Sequence, residues 1–398
     1  MIRAEKSDQQ NIEMKESISK HLGGGKIDQV SIKAEINYDK ILNLFLNKIE
    51  FIKKNLIKND KYGEELFKII EERKEIIFPI NKHIELFILN YQNNITKITN
   101  YLTFRYKFHL AGKKKLNLGY PPYLLIEPVS SCNLKCPFCF QIDKSFTRKP
   151  FMGTMDYDFF KKIVDDANNI GVGAITIASR GEPTLHKKYI DMLKYISTKE
   201  NIFELKTNTN GTFLTEEMCH AIFKSKVNQI VISSDHYEKE KYEKLRLGAN
   251  FDKVVKKIDM LYEIRKNYYP NSITEIRVSG VDNERNLDRK KFHEFWIQRS
   301  DHVTAGFPLE RWDTYNNSEH PDINDPCENL WDRMYVWFDG KVNPCDADYK
   351  SYLSYGDAKK VSLKKIWNSS IIEDTRKKHL NKSRKNINPC NKCGATFC

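Results

Sequence analysis

The spacing of hydrophobic positions changes once, and sharply, along the chain. From about 36 to 110 they recur at helical intervals: Ile41, Leu44, Phe45, Ile49 and Ile52, then Leu66, Ile69 and Ile70, then Ile84, Phe87, Ile88 and Ile95. That spacing predicts two to four amphipathic helices. From about 116 to 310, short β-rich runs alternate with helical stretches. "YLLIEP" (123–128), "AITIAS" (174–179), "FELKTN" (203–208), "QIVISS" (229–234), "EIRVSGV" (275–281) and "HVTAGF" (302–307) predict six strands, with helices over 157–170, 187–198, 215–225, 251–267 and 288–299. Repeated strand and helix units imply a parallel sheet with right-handed crossovers, built as an open barrel or a doubly wound sheet. In either, reactive groups belong at the carboxyl ends of the strands. Residues 1 to about 30 are polar, and "LGGGK" (22–26) lacks the spacing and Ser/Thr of a phosphate-binding loop. This segment reads as a flexible tail.

A chain of 398 residues with 40% hydrophobic and 30% charged positions suits a soluble protein of two or three domains. The boundaries expected are 1–115 for tail and helices, 116–320 for the α/β core and 321–398 for a cysteine-bearing end. There is no apolar run long enough for a membrane span and no hydrophobic export signal, so a cytoplasmic location is expected. Nine cysteines then read as reduced thiols available for metal. The net charge of +13 could attract nucleic acid, a membrane surface or an anionic substrate. The basic residues are dispersed, dense only at 113–115 and 376–386, and no RNA-binding motif accompanies them. Nucleic acid is therefore not an expected partner.

"SSCNLKCPFCF" (130–140) places Cys132, Cys136 and Cys139 directly after the first predicted strand. Three thiolates at CxxxCxxC spacing can hold three irons of a cubane cluster and leave the fourth open. Zinc is the alternative, but structural zinc wants four ligands, usually as two separated pairs.

With Phe138 just before the last cysteine, this stretch resembles the signature of radical S-adenosylmethionine (radical SAM) enzymes. The resemblance implies a partial (β/α)6 TIM-like barrel with a helical extension before it. It further implies a 4Fe-4S cluster whose open iron chelates S-adenosylmethionine, and cleavage of that cofactor to a 5′-deoxyadenosyl radical that abstracts hydrogen from substrate. An electron donor such as flavodoxin or ferredoxin is implied with it.

Further motifs follow in the family's order. "SRGEPTLH" (179–186) is similar to the GGEP motif that receives the methionyl ammonium: Gly181, Glu182 and Pro183 match, while Arg180 replaces the first glycine. "TNTNG" (207–211) offers Asn210, "ISSD" (232–235) offers Ser233 and Asp235 for ribose or carboxylate, and "KLRLG" (244–248) offers Arg246 for the methionyl carboxylate. Each alone is weak, since Asn-Gly usually marks a turn and a helical arginine is usually solvated.

The C-terminal stretches "DGKVNPCDADY" (339–349) and "GDAKKVSLKKIW" (356–367) resemble SPASM and twitch extensions, which fold around auxiliary 4Fe-4S clusters. The resemblance implies that Cys327, Cys345, Cys390 and Cys393 complete one such cluster, with a zinc ribbon as the alternative. Cys398 is left over, and Cys219 in "EEMCHAIF" reads as a core thiol. A closed second cluster suits electron transfer, so the expected reaction is a two-electron oxidation. Asp346, in the position of the base proposed for the sulfatase-maturating branch, would remove the proton, with Asp348 and Arg277 as lesser candidates. The substrate expected is a small polar molecule such as a sugar, cyclitol or nucleotide-linked sugar, with an anionic group open. Maturation of a peptide side chain is the alternative; the helices over 36–110 do not look like the winged-helix and hairpin module that binds leader peptides. An epimerase using Cys219 or Cys398 as hydrogen donor, and a non-catalytic metal-binding scaffold, complete the alternatives.

Overall fold

The computed structural model describes residues 12–18, 26–32, 38–74, 78, 82–306, 313–319 and 323–393. Two strands come first, β1 (Ile12–Ile18) and β2 (Lys26–Ile32), and pair as an antiparallel hairpin. The polar segment read as a tail therefore contains strands. Ile12, Met14 and Ile18 do alternate with polar residues, a weak strand signal diluted by the charges around it.

Five helices follow where two to four were expected: α1 (Tyr38–Leu46), α2 (Ile49–Asn55), α3 (Lys61–Glu71), α4 (Lys82–Asn90) and α5 (Ile95–Lys113). Asp60 and Asn94 cap α3 and α5 by accepting backbone N–H groups, which breaks the apolar periodicity into short pieces.

The six expected strands all form: β3 (Tyr123–Ile126), β4 (Ala174–Ile177), β5 (Glu204–Thr209), β6 (Gln229–Ser233), β7 (Glu275–Val281) and β8 (His302–Gly306). Between them lie α6 (Tyr157–Ile170), α7 (Tyr189–Ser197), α8 (Glu216–Lys224), α9 (Lys239–Leu245), α10 (Phe251–Tyr268) and α11 (Arg289–Ile297). Asp156, Thr215, Asn250 and Asp288 start α6, α8, α10 and α11, each accepting the backbone N–H three residues on. The strands are parallel and lie side by side in chain order, β3 to β8. A doubly wound sheet would reverse its order at a switch point, so the sequential order decides for the partial barrel.

The sheet does not stop at six strands. After α12 (Asn329–Asp332), β9 (Arg333–Val336) pairs in parallel with β3, and β10 (Lys341–Asn343) and β11 (Gly356–Asp357) continue antiparallel. At the other edge β2 pairs with β8, giving one sheet of eleven strands. Two further helices, α13 (Leu363–Trp367) and α14 (Ser370–Leu380), close the C-terminal region.

Alternation along β3 separates two cores. Leu124 and Ile126 face the outer helices α6 to α11, whereas Tyr123 and Leu125 join the apolar cluster of α1 to α5. The helical extension thus plugs the barrel mouth formed by the amino ends of the strands. Glu204 and Glu275, the first residues of β5 and β7, are buried there. Tyr101 donates to Glu204 at 2.7 Å and Arg105 at 3.2 Å, while Gln229 and His302 bond Glu275 at 2.5 and 3.0 Å. Burial alone would raise the Glu204 carboxyl, but Lys206, Arg105 and His83 outweigh it and hold it well below its ordinary value. Among the described residues, no helix is long and apolar enough to cross a membrane.

Candidate active site

With the amino mouth closed, the reactive groups gather at the opposite, carboxyl end. One cavity of about 300 Å³ is lined by Cys132, Cys136, Phe138 and Cys139, by Gly181 and Glu182, by Asn210, Ser233 and Arg246, and by Asp346. These ten residues, each singled out in the sequence and drawn from six separate segments, share this space. Pro183 and Asp235 stand just behind it: Pro183 opens a short turn that Glu182 caps, and Asp235 pairs with Arg246.

The cysteine loop is held from three sides. Cys132 Sγ accepts from Leu134 N–H at 3.4 Å and Asn210 Nδ2 at 3.7 Å. Gln141, which nothing in the sequence marked, donates to the carbonyls of Ser130 at 2.7 Å and Arg180 at 2.6 Å, tying this loop to the next. Burial pushes the Cys132 thiol up and the Cys136 thiol to about 11.

In the second loop only glycine fits at 181, because a Cβ there would lie 2.3 Å from the Val129 carbonyl and 2.5 Å from that of Ser131. Glu182 accepts from Thr184 N–H and Oγ1, Thr209 Oγ1 and Asn210 N–H, at 3.2, 2.6, 2.7 and 2.7 Å. Its carboxylate is thereby fixed against the turn after β5, where Gly211 takes φ +78°. Ser179 is a residue the sequence did not reveal. It lines the cavity at φ 121°, outside the usual range for serine, and its buried hydroxyl has no partner among the described residues.

Arg246 gives Nε to Asp235 at 2.7 Å, and its guanidinium lies 5.9 Å from the Phe138 ring centre. Asp235 also accepts from Val281 N–H at 2.9 Å, which fixes the pair to β7.

Arg180, the departure from the glycine pattern, has a structural purpose. It forms a bidentate pair with Glu127 at 2.5 Å, donates to the Tyr349 carbonyl at 2.8 Å and lies over Trp337 at 4.4 Å. Residue 180 therefore fastens the barrel to the C-terminal region. Asp348 is used similarly: it accepts from Tyr315, Tyr352 and Leu353 and does not line the cavity. Of the candidate bases, Asp346 and Arg277 reach the cavity.

Cys327, Cys345, Cys390 and Cys393 are brought together from four chain positions. Burial raises the Cys345 thiol far above its ordinary value, and the three neighbouring cysteines add to the shift; Cys327 rises to about 11 by burial, with Cys393 contributing. Around them, Asn343 with both side-chain polar atoms, Tyr355 Oη and His379 Nε2 are buried and without partners among the described residues. Such orphaned polar atoms beside clustered thiols fit a group with acceptor sulfurs. Among the described residues no three His, Cys, Asp or Glu side chains converge to hold a single metal ion. Cys219 is fully buried in α8 within the outer core and cannot reach the cavity, which removes it as a hydrogen donor. Cys398 lies outside the described residues.

Comparison with known proteins agrees with this geometry. Residues 126–294 match the radical SAM superfamily, and residues 327–394 match SPASM, an iron-sulfur cluster-binding domain. A tungsten-containing aldehyde ferredoxin oxidoreductase cofactor-modifying protein of Pyrococcus furiosus is 38% identical over 114 residues, 28% of this chain and 30% of that protein. A cysteine-type anaerobic sulfatase-maturating enzyme of Clostridium novyi is 32% identical over 179 residues, 42% of this chain and 46% of that enzyme. The chain thus spans less than half the length of both relatives. In fold it is similar to Streptococcus suis SuiB bound to precursor peptide SuiA, with a TM-score of 0.52, 18% identity, and 97% and 93% of the two chains covered.

Proposed function

The chain belongs to the radical SAM superfamily and carries a C-terminal SPASM domain, and from that premise we propose that it oxidises a polar small molecule by two electrons. The cofactors of such a chain are S-adenosylmethionine and 4Fe-4S clusters. Cys132, Cys136 and Cys139 would hold the first cluster, with Glu182, Asn210, Ser233, Asp235 and Arg246 around the S-adenosylmethionine. Cys327, Cys345, Cys390 and Cys393 would hold the second. When bound, these groups supply a 5′-deoxyadenosyl radical for hydrogen-atom abstraction and a one-electron acceptor.

The observation that carries the proposal is that Asp346 lines the same cavity as the three-cysteine loop while directly following a thiol of the four-cysteine set. An alcohol carbon becomes a carbonyl by losing a hydrogen atom, a proton and an electron. Asp346 would take the proton from the hydroxyl. Arg246 and Glu182, each anchored by hydrogen bonds, orient the opposite charges of an amino acid group without moving. The closed amino mouth leaves the carboxyl end as the entrance.

Peptide-side-chain oxidation is the second reading, and one observation favours it. The hairpin of β1 and β2 extends the barrel sheet through β8, and an outer strand can receive an extended peptide. The SuiB fold, described with its precursor peptide, is matched over the N-terminal region too. The lack of a hairpin, which spoke for the small molecule, no longer does so. The small molecule rests instead on a cavity of about 300 Å³ with charged walls.

The test is anaerobic reconstitution with assays for iron, sulfide and 5′-deoxyadenosine. About eight irons per chain and cofactor cleavage are expected, falling to about four irons in Cys345→Ala. Asp346→Asn is expected to retain iron and cofactor cleavage but to slow substrate oxidation about 10²–10⁴-fold. Zinc in place of iron, or about four irons in the wild type, would overturn the assignment.

A further inference from the structure

We infer that the molecule received by this cavity carries an anionic group, a carboxylate or a phosphate, and that Arg277 is its receptor. The inference deepens the proposed function and rests on that reading for the cavity's being the substrate site. Among the described residues, five cationic side chains line the cavity: Arg180, Lys206, Arg246, Arg277 and Arg333. Four are neutralised within the protein. Arg180 pairs with Glu127 at 2.5 Å, Lys206 with Glu204 at 3.1 Å, Arg246 with Asp235 at 2.7 Å and Arg333 with Asp332 at 2.6 Å.

Arg277 differs. It projects from the middle of β7, and its Nε and Nη2 donate to the neutral hydroxyl of Thr304 at 3.3 and 2.9 Å. Thr304 in turn donates to Ser279 at 3.1 Å. The guanidinium is oriented by this chain of hydroxyls but not neutralised, and among the described residues it forms no ion pair. The nearest acidic influence is Glu275, two positions back on the same face of β7, and that carboxylate is already bonded by Gln229 and His302. Burial accordingly lowers the Arg277 pKa, the mark of a cation without its counter-charge.

Enclosed charges in proteins are paired, because an unpaired one forfeits its hydration for nothing. Arg277 is half-buried on the cavity wall, and the counter-charge that the described residues do not give it is one that a ligand entering the cavity would bring. A guanidinium offers a planar fork suited to carboxylate or phosphate oxygens, and Nη1 has no partner among the described residues. Arg246, beside Phe138 at the cysteine loop, is the residue expected to meet the cofactor's own carboxylate. Arg277, on the lumen wall opposite the β3 side, is left for the substrate.

The experiment uses reconstituted full-length protein with S-adenosylmethionine bound, and titrates inorganic phosphate and, separately, acetate at constant ionic strength by calorimetry. Wild type is expected to bind at least one of them, and the stronger of the two identifies the group. Arg277→Gln is expected to weaken that binding at least 10-fold, and Arg277→Lys, which keeps the charge without the fork, by less. Thr304→Val, which frees the guanidinium but leaves its charge, is expected to weaken binding a few-fold, and it keeps the test open should Arg277→Gln fold poorly. S-adenosylmethionine affinity and iron content are expected to be unchanged in all three. Equal anion binding in wild type and Arg277→Gln, or none in wild type at tens of millimolar, overturns the inference. A loss of S-adenosylmethionine affinity in Arg277→Gln also overturns it by assigning the residue to the cofactor. Failure of 5′-deoxyadenosine release in wild type, with anion binding still dependent on Arg277, refutes the proposed reaction and leaves the anion site standing.

Discussion

Replacing Arg180 by methionine tests how the barrel and the C-terminal region are joined. Glu127 is 0% and Arg180 3% exposed, so the pair is fully withdrawn from water. Methionine keeps much of the side chain's apolar stem and leaves Glu127 with Phe338 N–H, at 3.3 Å, among its former donors. An uncompensated buried carboxylate costs about 3–5 kcal/mol. The contact over Trp337 adds roughly 1–2 kcal/mol in a desolvated setting, partly included in the same figure. Guanidinium unfolding of the reconstituted protein, followed by tryptophan fluorescence, would measure it. Arg180→Met is expected to lose about 3–5 kcal/mol, and the double variant with Glu127→Gln to lose at least about 2 kcal/mol less than the sum of the single losses. Additivity within about 0.5 kcal/mol would refute the claim that the two charges depend on each other. The Arg180 carbonyl also accepts from Gln141, so the single variant is expected to weaken S-adenosylmethionine binding without lowering iron in the C-terminal set.

Gly181→Ala is expected to abolish S-adenosylmethionine binding in equilibrium dialysis while the protein stays folded, since a Cβ 2.3 Å from the Val129 carbonyl must force apart the two loops that carry Cys132 and Glu182; unaltered affinity would contradict that packing. Arg105→Met, at the closed mouth, is expected to cost about 2 kcal/mol at neutral pH by weakening the support of Glu204. Glu204 has its folded pKa held well below the ordinary 4.5, so its stabilising contribution is complete above that value and fades as pH falls below it. The difference between Arg105→Met and wild type is therefore expected to hold from pH 7 to pH 5 and to shrink only as pH falls well below 4.5, and a difference that grew as pH fell would reverse the sign assigned to Glu204.

Much of this architecture is written in local patterns. The six barrel strands and five of the six helices between them follow from periodicity and from caps such as Asp156 and Thr215, which act within one turn of chain. The cysteine triplet and the turns after β4, β5 and β6 are legible for the same reason: each is a short run whose residue types are dictated by what one loop must do. The hairpin of β1 and β2 was missed because a strand of seven residues depends on its neighbour β8, far along the chain, more than on its own alternation. Arg180 looked like a defect in a glycine motif until Glu127, Trp337 and Tyr349 were seen around it.

The sequence by itself determined the chemistry on offer, because thiol spacing, a Gly-Glu-Pro turn and strand periodicity are properties of contiguous residues. Only the tertiary structure decided which groups share one space. Asp346 lies in that space whereas Asp348, two residues on, is spent on holding a loop, and Arg277 is the lumen cation whose charge no described carboxylate balances. Burial and charge balance belong to all the segments that meet around a side chain, and no single segment contains that information.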